Sequence, residues 1–288
     1  LLSRMGQEHK LALFSKRPLL VEGPSDQIIC SSLSVKLDLN IEAAGSQILP
    51  VTGKGQMPTV VKLMRLIGKT PSVLVDADGL ADGLDLITSF TNTDKADAVA
   101  TEMGHRNATD FARGIYNDFA QLVEHNWADI SDLATQHAYW TNRDTDDDEL
   151  KARRRSAFSA LLNLEVTTVQ ELDNPSSWTE IRTRLLSLLT LLGSVGCFVL
   201  TKGTIENYYN YTKSIPSAEK PNTAAYEASN FLDANQNDLK NAYADIVKAI
   251  DFAAQAQKIN EGTAIREAVL AIVSPMLATL TTETTTQQ

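Results

Sequence analysis

PLLVEGPSD, at residues 18–26, is the stretch that predicts the fold of this chain. Its apolar run ends at Glu22, a Gly-Pro pair turns the chain, and Asp26 follows four residues after the glutamate. This order predicts a short buried strand, a turn, and a helix that Ser25 caps and that continues to Leu37. Two carboxylates therefore lie at one strand-to-helix junction.

Two further apolar runs also end in charged residues. The run SVLVDAD ends in Asp76 and Asp78, and the run CFVLTKGTIE ends in Lys202, a glycine and Glu206. The carboxyl ends of parallel strands meet at one edge of an open α/β sheet, and ligands bind along that edge. These side chains are therefore expected to converge with those of the first junction.

The order of the predicted elements indicates the fold class. Strands near residues 18–22, 47–52 and 72–75 alternate with helices across short loops. This pattern predicts an α/β fold with a parallel sheet of about four strands and right-handed crossovers. Between the third and fourth strands the periodicity is helical for too long to be a simple crossover, which predicts a helical insertion. The predicted divisions are a lead-in at 1–17, an α/β domain at 18–211 with the insertion at about 94–193, and a C-terminal helical segment at 212–288.

Composition limits the functional classes. The formal net charge of −10 argues against a strongly basic nucleic-acid module. It is compatible with an enzyme whose carboxylates bind divalent metal before they meet phosphate. Cys30 and Cys197 lie in apolar contexts without zinc spacing and are expected to be buried thiols of a reducing compartment. No run is long enough to span a membrane and no signal peptide is evident, so we expect a cytoplasmic protein. Because the chain begins with Leu1, we interpret it as a fragment of a longer protein.

The carboxylates at the first and third strand ends define a candidate metal site. They are Glu22, Asp26, Asp76 and Asp78, with no histidine or cysteine ligand pattern beside them. Ligation by oxygen alone favours hard ions, so Mg²⁺ or Mn²⁺ is expected, Ca²⁺ is acceptable and zinc is not expected. Two such ions about 3.5–4 Å apart would activate water and stabilise the leaving oxygen of a phosphodiester. The alternative is that each acid only caps the helix that follows it.

Three further charged residues are candidates for the same edge. Lys202 would neutralise charge in a phosphoryl-transfer transition state, or would only extend its amine to solvent at a strand end. Glu206 would be a further ligand or a general base, or an ordinary acid of a first helical turn. Lys54, in a Gly-Lys-Gly turn, would hold phosphate, although the turn lacks the spacing of a Walker A loop.

The predicted insertion contains other polar residues without a clear site pattern. Its histidines, at 105, 125 and 137, lack ligand spacing and are interpreted as ordinary helix residues. An acidic run at 144–149 precedes the basic run KARRR, an order that suits the start of a solvated helix. The functional alternative is that Arg153, Arg154 and Arg155 contact a phosphate backbone.

Four motifs together carry a resemblance to a known family. They are VEGPSD at 21–26, GKG at 53–55, VDAD at 75–78 and LTKGTIENYY at 200–209. Together they resemble the Toprim domain of OLD-family (overcoming lysogenization defect) nucleases, over about residues 8–211. The resemblance implies a metal-dependent DNA endonuclease whose full-length form carries an N-terminal ABC-type ATPase domain. It also implies a bacterial, archaeal or phage protein of antiviral defence or DNA repair, with self-association through the full-length protein.

The resemblance also implies roles for individual residues. Asp76 and Asp78 would ligate one metal ion, and Glu22 would be the glutamate of the first motif, with Asp26 as its partner at the second ion. Lys202 would assist the transition state. A further acidic ligand is expected after the third strand, with Asp82 and Asp85 as candidates.

Other functions remain in competition. Nothing in the chain is similar to the tyrosine module of topoisomerases, and the cysteines cannot build the zinc domain of a primase. A phosphatase of the haloacid dehalogenase type would use an Asp-x-Asp pair such as Asp76 and Asp78, but would place it after the first strand and follow it with Gly-Thr. A non-enzymatic interaction module would use the acids for a structural ion, and would have no need of Lys202.

Overall fold

The computed structural model describes residues 14–51, 54–144, 148–212 and 220–255. Most of the predicted lead-in, Gly53 of the Gly-Lys-Gly turn, part of the acidic run and the chain beyond 255 lie outside the described residues. The same holds for the side chain of Lys54.

The described chain has the predicted α/β architecture, with one sheet of four parallel strands flanked by helices. The strands are β1 (Leu19–Val21), β2 (Ile48–Pro50), β3 (Ser72–Val75) and β4 (Cys197–Val199). They lie in the order β2-β1-β3-β4, and all pairs are parallel. The strands β1 and β3 are therefore central neighbours, and their carboxyl ends open on the same edge.

Helices connect the strands and cover both faces of the sheet. Between β1 and β3 they are α1 (Pro24–Lys36) and α2 (Met57–Leu66). Between β3 and β4 they are α3 (Asp78–Ala81), α4 (Asp85–Thr91), α5 (Asp94–Glu102), α6 (Ala108–His125), α7 (Trp127–Ala134), α8 (Ala138–Thr141), α9 (Glu149–Asn163), α10 (Val166–Gln170) and α11 (Pro175–Ser194). After β4 come a 3₁₀ turn (Ile205–Tyr208) and the helices α12 (Lys220–Ser229), α13 (Gln236–Ala242) and α14 (Ala244–Ala254).

The cap predicted for α1 is wrong. Gly23, in extended backbone, occupies the N-cap position, and Pro24 is the first helical residue. The fixed φ of proline suits that position, where no amide hydrogen bond is lost, and this places Ser25 inside the helix. The carboxylate of Asp26 closes the turn by accepting a hydrogen bond from the Gly23 N–H at 2.8 Å.

The helical region between β3 and β4 begins earlier than predicted. Helix α3 starts at Asp78, directly after β3, rather than near residue 94. A Cβ on Gly79 would lie 2.9 Å from Cγ2 of Val75, so the glycine allows α3 to approach the end of the strand closely. This approach holds Asp78 beside the sheet edge.

Alternate residues of the central strands belong to two separate apolar cores. Leu20 and Val73 point into a core shared with α2, α6 and α11. Leu19, Val21 and Leu74 point into a core shared with α1 and with the helices after β4. Strand side chains alternate between faces, so a sheet that is covered on both sides needs a continuous apolar run in each central strand.

The helices after β4 belong to the same compact unit as the sheet. Helix α12 packs on α1, and α14 contacts β1, β3 and β4. Tyr243 and Ile250 are fully buried in the core that these helices share with the sheet. The site edge is therefore framed from one side by residues that are distant in sequence.

Two expectations from the sequence concern the burial of the two cysteine thiols and the presence of helices that could span a membrane. Cys30 and Cys197 are both buried and free, as predicted. Among the described residues, no helix has the length and apolar character needed to cross a bilayer.

Candidate metal centre

Three of the predicted carboxylates converge at the carboxyl ends of β1 and β3. Ligand atoms of Glu22, Asp76 and Asp78 lie within 4.8 Å of one another. The backbone N–H of Asp76 donates to Oε1 of Glu22 at 3.1 Å, which fixes the glutamate against the neighbouring strand end. The convergence follows from the parallel pairing of β1 with β3.

The charges of this cluster repel one another. Burial first, and then the charges of Glu22, Asp26 and Asp78, raise the pKa of Asp76 well above its ordinary value. Carboxylates held together at this distance are costly without a cation, and a divalent ion would relieve the cost. The donors are all carboxylate oxygens, which fits Mg²⁺, Mn²⁺ or Ca²⁺.

Asp26 lies beside this cluster rather than within it. It is 8% exposed, and its carboxylate already accepts the hydrogen bond from Gly23. Burial first, and then the charge of Glu206, raises its pKa to about 6. The structure therefore brings three of the four predicted ligands together and leaves Asp26 outside that group, where the charge of Glu206 acts on it.

Glu206 is held by a cation that sequence analysis did not identify. Its Oε1 lies 2.9 Å from Nζ of Lys220, the first residue of α12. Burial by itself raises the pKa of Glu206, but hydrogen bonds from Lys220 and Thr204 outweigh it and leave the pKa below its ordinary value. Lys220 belongs to no motif, and only the packing of α12 on α1 brings it to this edge.

Comparison with known proteins agrees with this geometry. Residues 13–78 match the family model described as "Overcoming lysogenization defect protein-like, TOPRIM domain". This part of the chain is an OLD-like Toprim region. Searches among curated proteins and among solved structures gave no match. The matched span covers β1 to β3 and contains all four predicted metal ligands, whereas Lys202 and Glu206 lie beyond it.

The amine of Lys202 contacts the segment that follows β4. Its Nζ donates to the carbonyl of Ala242 at 3.2 Å and lies 4.7 Å from the centre of the Tyr208 ring. The loop itself is anchored by Asp245, which accepts hydrogen bonds from the N–H and the hydroxyl of Thr201 at 3.1 and 2.7 Å. The role predicted for Lys202 in the transition state stays a prediction.

The candidates for a further ligand have other surroundings. Both carboxylate oxygens of Asp82 accept hydrogen bonds from Arg155 at 2.6 Å, so this acid is committed to an ion pair. Asp85 is the first residue of α4. The phosphate-binding role predicted for Lys54 stays a prediction, because its side chain lies outside the described residues.

The arginines proposed as phosphate ligands contact groups of their own helical region. Arg155 pairs with Asp82, Arg153 pairs with Glu149 at 2.6 Å, and Arg154 donates to the Tyr116 hydroxyl at 3.1 Å. These contacts favour the structural interpretation of the basic run.

The interpretation of His137 as an ordinary helix residue is wrong. Its Nδ1 accepts the hydrogen bond of the Tyr139 N–H at 3.2 Å and so caps α8. The opposite nitrogen, Nε2, lies 2.9 Å from the carbonyl oxygen of Lys202. Burial lowers the pKa of His137, and these contacts suit a neutral ring that donates from Nε2. His137 thereby ties the helical insertion to the loop that follows the last strand of the sheet.

Tyr139 brings the same short helix to the metal centre. Burial first, and then the charges of Asp76 and Asp78, raises the pKa of its hydroxyl. The phenol therefore stays protonated beside the acids, and α8 forms one wall of the site. Neither His137 nor Tyr139 has a local sequence signal for this position.

Proposed function

We propose that this chain is the catalytic part of an OLD-family nuclease that hydrolyses phosphodiester bonds in DNA with divalent metal ions. The observation that carries the proposal is the convergence of Glu22, Asp76 and Asp78 at the edge of a Toprim sheet. Mg²⁺ or Mn²⁺ is the proposed cofactor.

Each acid has a proposed part in the site. Glu22, Asp76 and Asp78 hold one ion, while Asp26 provides charge for a second ion beside it. Ions bound in this way lower the pKa of a bound water and stabilise the leaving oxygen of a phosphodiester. The hydrogen bond from the Asp76 N–H to the Glu22 carboxylate holds these two ligands next to each other before any ion binds.

The proposal also covers the substrate, the partner domain and the cellular role of the protein. DNA is the proposed substrate because phosphodiester hydrolysis is the chemistry that this site type supports. An ATPase domain of a longer protein, self-association through that protein, a cytoplasmic location and a role in antiviral defence or DNA repair follow from the family resemblance.

A phosphatase of the haloacid dehalogenase type is the second candidate function. The Asp-x-Asp pair at 76–78 is the feature that favours it. However, this pair follows β3 rather than the first strand, and it shares its site with Glu22 from β1. A nuclease uses all three acids, whereas the phosphatase leaves Glu22 without a role.

The test is cleavage of supercoiled plasmid by this chain in Mg²⁺, Mn²⁺, Ca²⁺ or chelator. Glu22→Gln, Asp76→Asn and Asp78→Asn keep the size of each side chain and remove one ligand charge. We expect each to lower cleavage by at least ~100-fold, since even weaker perturbations around a metal site cost 10–100-fold. Mn²⁺ affinity, measured by calorimetry, should fall in parallel, and circular dichroism checks that each variant folds.

Asp233→Asn is the matched control, because Asp233 is exposed and follows the turn after α12. It should cleave as the wild type does. Intact plasmid in every metal, together with hydrolysis of a small phosphomonoester, would favour the phosphatase. Binding of one ion without either activity would favour the interaction module.

A further inference from the structure

Lys220 is the basic residue that the structure places among the acids of the sheet edge. Its Nζ lies 2.9 Å from Glu206, and its side chain remains 47% exposed. Besides Glu206, the negative charges of Asp76 and Asp26 act on this amine. The ammonium therefore pairs with Glu206 and lies in the negative field of acids that follow β1 and β3.

The lysine singled out by sequence motif is used differently. The Nζ of Lys202 contacts the Ala242 carbonyl and the face of Tyr208. Both of those groups lie on the side of the loop where the helices after β4 pack. Lys202 thus joins the loop to these helices.

We propose that Lys220 contacts the scissile phosphate at this centre, with Glu206 as the residue that positions it. This inference rests on the proposed nuclease function and adds Lys220 to its site. No proton transfer or bond to Lys220 is required. The ammonium stabilises the extra negative charge that gathers on the phosphate oxygens as the bond breaks.

Chemistry and exposure both suit this role. An ammonium has three N–H donors, and Glu206 accepts one of them. The pair is half exposed, so solvent screens it and it contributes little to stability; folding alone does not require it. The exposed part of Lys220 lets a phosphate oxygen approach from solvent.

A buried network fixes the helix that carries Lys220. Glu227 of α12 is 0% exposed and accepts hydrogen bonds from the N–H groups of Asn210, Tyr211 and Thr212 at 2.6, 2.9 and 3.1 Å. The residues that donate these hydrogen bonds follow shortly after the turn that contains Glu206. These hydrogen bonds thus fix the position of α12, which carries Lys220, relative to the turn that carries Glu206.

The test compares Lys220→Ala and Lys220→Arg in the full chain. With saturating Mn²⁺, we expect Lys220→Ala to lower kcat of plasmid cleavage by ~100-fold or more, as loss of one transition-state donor does. Lys220→Arg should recover part of the activity, because it keeps the charge. Mn²⁺ affinity should stay within about threefold of the wild type. Lys240→Ala, at an exposed position of α13, is the control and should change nothing.

A second readout does not depend on cleavage. Binding of a fluorescent DNA oligonucleotide in Ca²⁺, followed by anisotropy over a salt series, counts the phosphate contacts. Lys220→Ala should reduce the slope of log affinity against log salt by about one.

The outcomes separate this inference from the proposed function. A wild type that cleaves, with a Lys220→Ala variant that cleaves equally well, overturns the role of Lys220 alone. Tighter Mn²⁺ binding by that variant, with unchanged cleavage and salt slope, would show that Lys220 only neutralises Glu206. Failure of the wild type to cleave rejects the nuclease, and an unchanged salt slope would then reject Lys220 as a phosphate ligand as well.

Discussion

At the scale of single residues, Asp26 combines two roles that conflict electrostatically. Its carboxylate accepts the Gly23 N–H and so starts α1. The same group is buried close to the charge of Glu206, and these surroundings raise its pKa to about 6. The helix start therefore adds negative charge to an edge that is already acidic, which is useful only where a cation binds.

The pKa of Asp26 predicts how stability depends on pH in chelator. A carboxyl group whose pKa is higher in the folded chain than its ordinary value of 3.8 favours folding below about pH 4, and this contribution is lost as the pH rises through about 6. The Asp26→Asn variant has no carboxyl group at this position, so its stability does not lose this contribution as the pH rises. The free energy of unfolding of this variant, relative to wild type, should therefore rise by ~2 kcal/mol between pH 4 and pH 6.

Urea unfolding at several pH values measures this difference. Asp233→Asn serves as the control, and its difference from wild type should stay nearly constant. A flat difference for Asp26→Asn as well would show that the folded and unfolded chains hold this proton equally.

At the scale of elements, the loop after β4 depends on one glycine. Gly203 has φ +115°, a backbone conformation that other residues rarely adopt. A Cβ there would lie 2.7 Å from Oδ1 of Asn207 and 2.7 Å from Cε1 of His137. Both neighbours hold the loop, because Asn207 accepts from the Thr204 N–H and His137 contacts the Lys202 carbonyl. The glycine therefore lets α8 and the loop pack together.

Gly203→Ala should lower the free energy of unfolding by about 1–3 kcal/mol, through backbone strain and the displaced contacts. Plasmid cleavage should fall as well, since Glu206 follows in the same loop. Gly114→Ala is the matched control: Gly114 lies inside α6 with open space around its Cα, so alanine should stabilise the helix by about 0.5–1 kcal/mol. Thermal and urea unfolding measure both variants. Equal stability of Gly203→Ala and wild type would contradict the strained turn.

At the scale of the whole molecule, the sheet is a layer between two cores. The helical region before β4 covers one face, while α1 and the helices after β4 cover the other. Leu19, Val21 and Leu74 have no water-exposed surface or almost none because α14 lies against their strands. The helices that follow residue 212 therefore complete the fold that positions the metal centre.

Ending the chain at residue 211 should abolish cooperative unfolding. The deletion removes Tyr243, Ile246 and Ile250 from one core and exposes apolar strand residues to water, which costs about 25 cal/mol for each Å² uncovered. A chain that ends at Ala256 keeps every described element and is the control. Circular dichroism during heating measures both chains. A cooperative transition in the shorter one would establish residues 18–211 as an independent domain and contradict this prediction.

The sequence by itself determined the sheet and the acids at its edge. Short apolar runs that end in Glu22 and in Asp76 are local signals, and the order of strands and helices predicts parallel pairing. Parallel pairing then brings the strand ends together whatever the rest of the chain does. Glu22, Asp76 and Asp78 were therefore predictable as a cluster, although the residue that caps α1 was not, since Gly23 and Ser25 both fit a cap.

Only the tertiary structure decided which charges meet. Lys220 reaches Glu206 through the packing of α12 on α1, Asp82 meets Arg155 across 73 residues, and His137 meets the Lys202 carbonyl across 65. Such contacts depend on the burial of apolar faces by helices far apart in the chain. The hydrophobic effect that drives this burial is non-directional, so no local pattern records which polar groups it brings together.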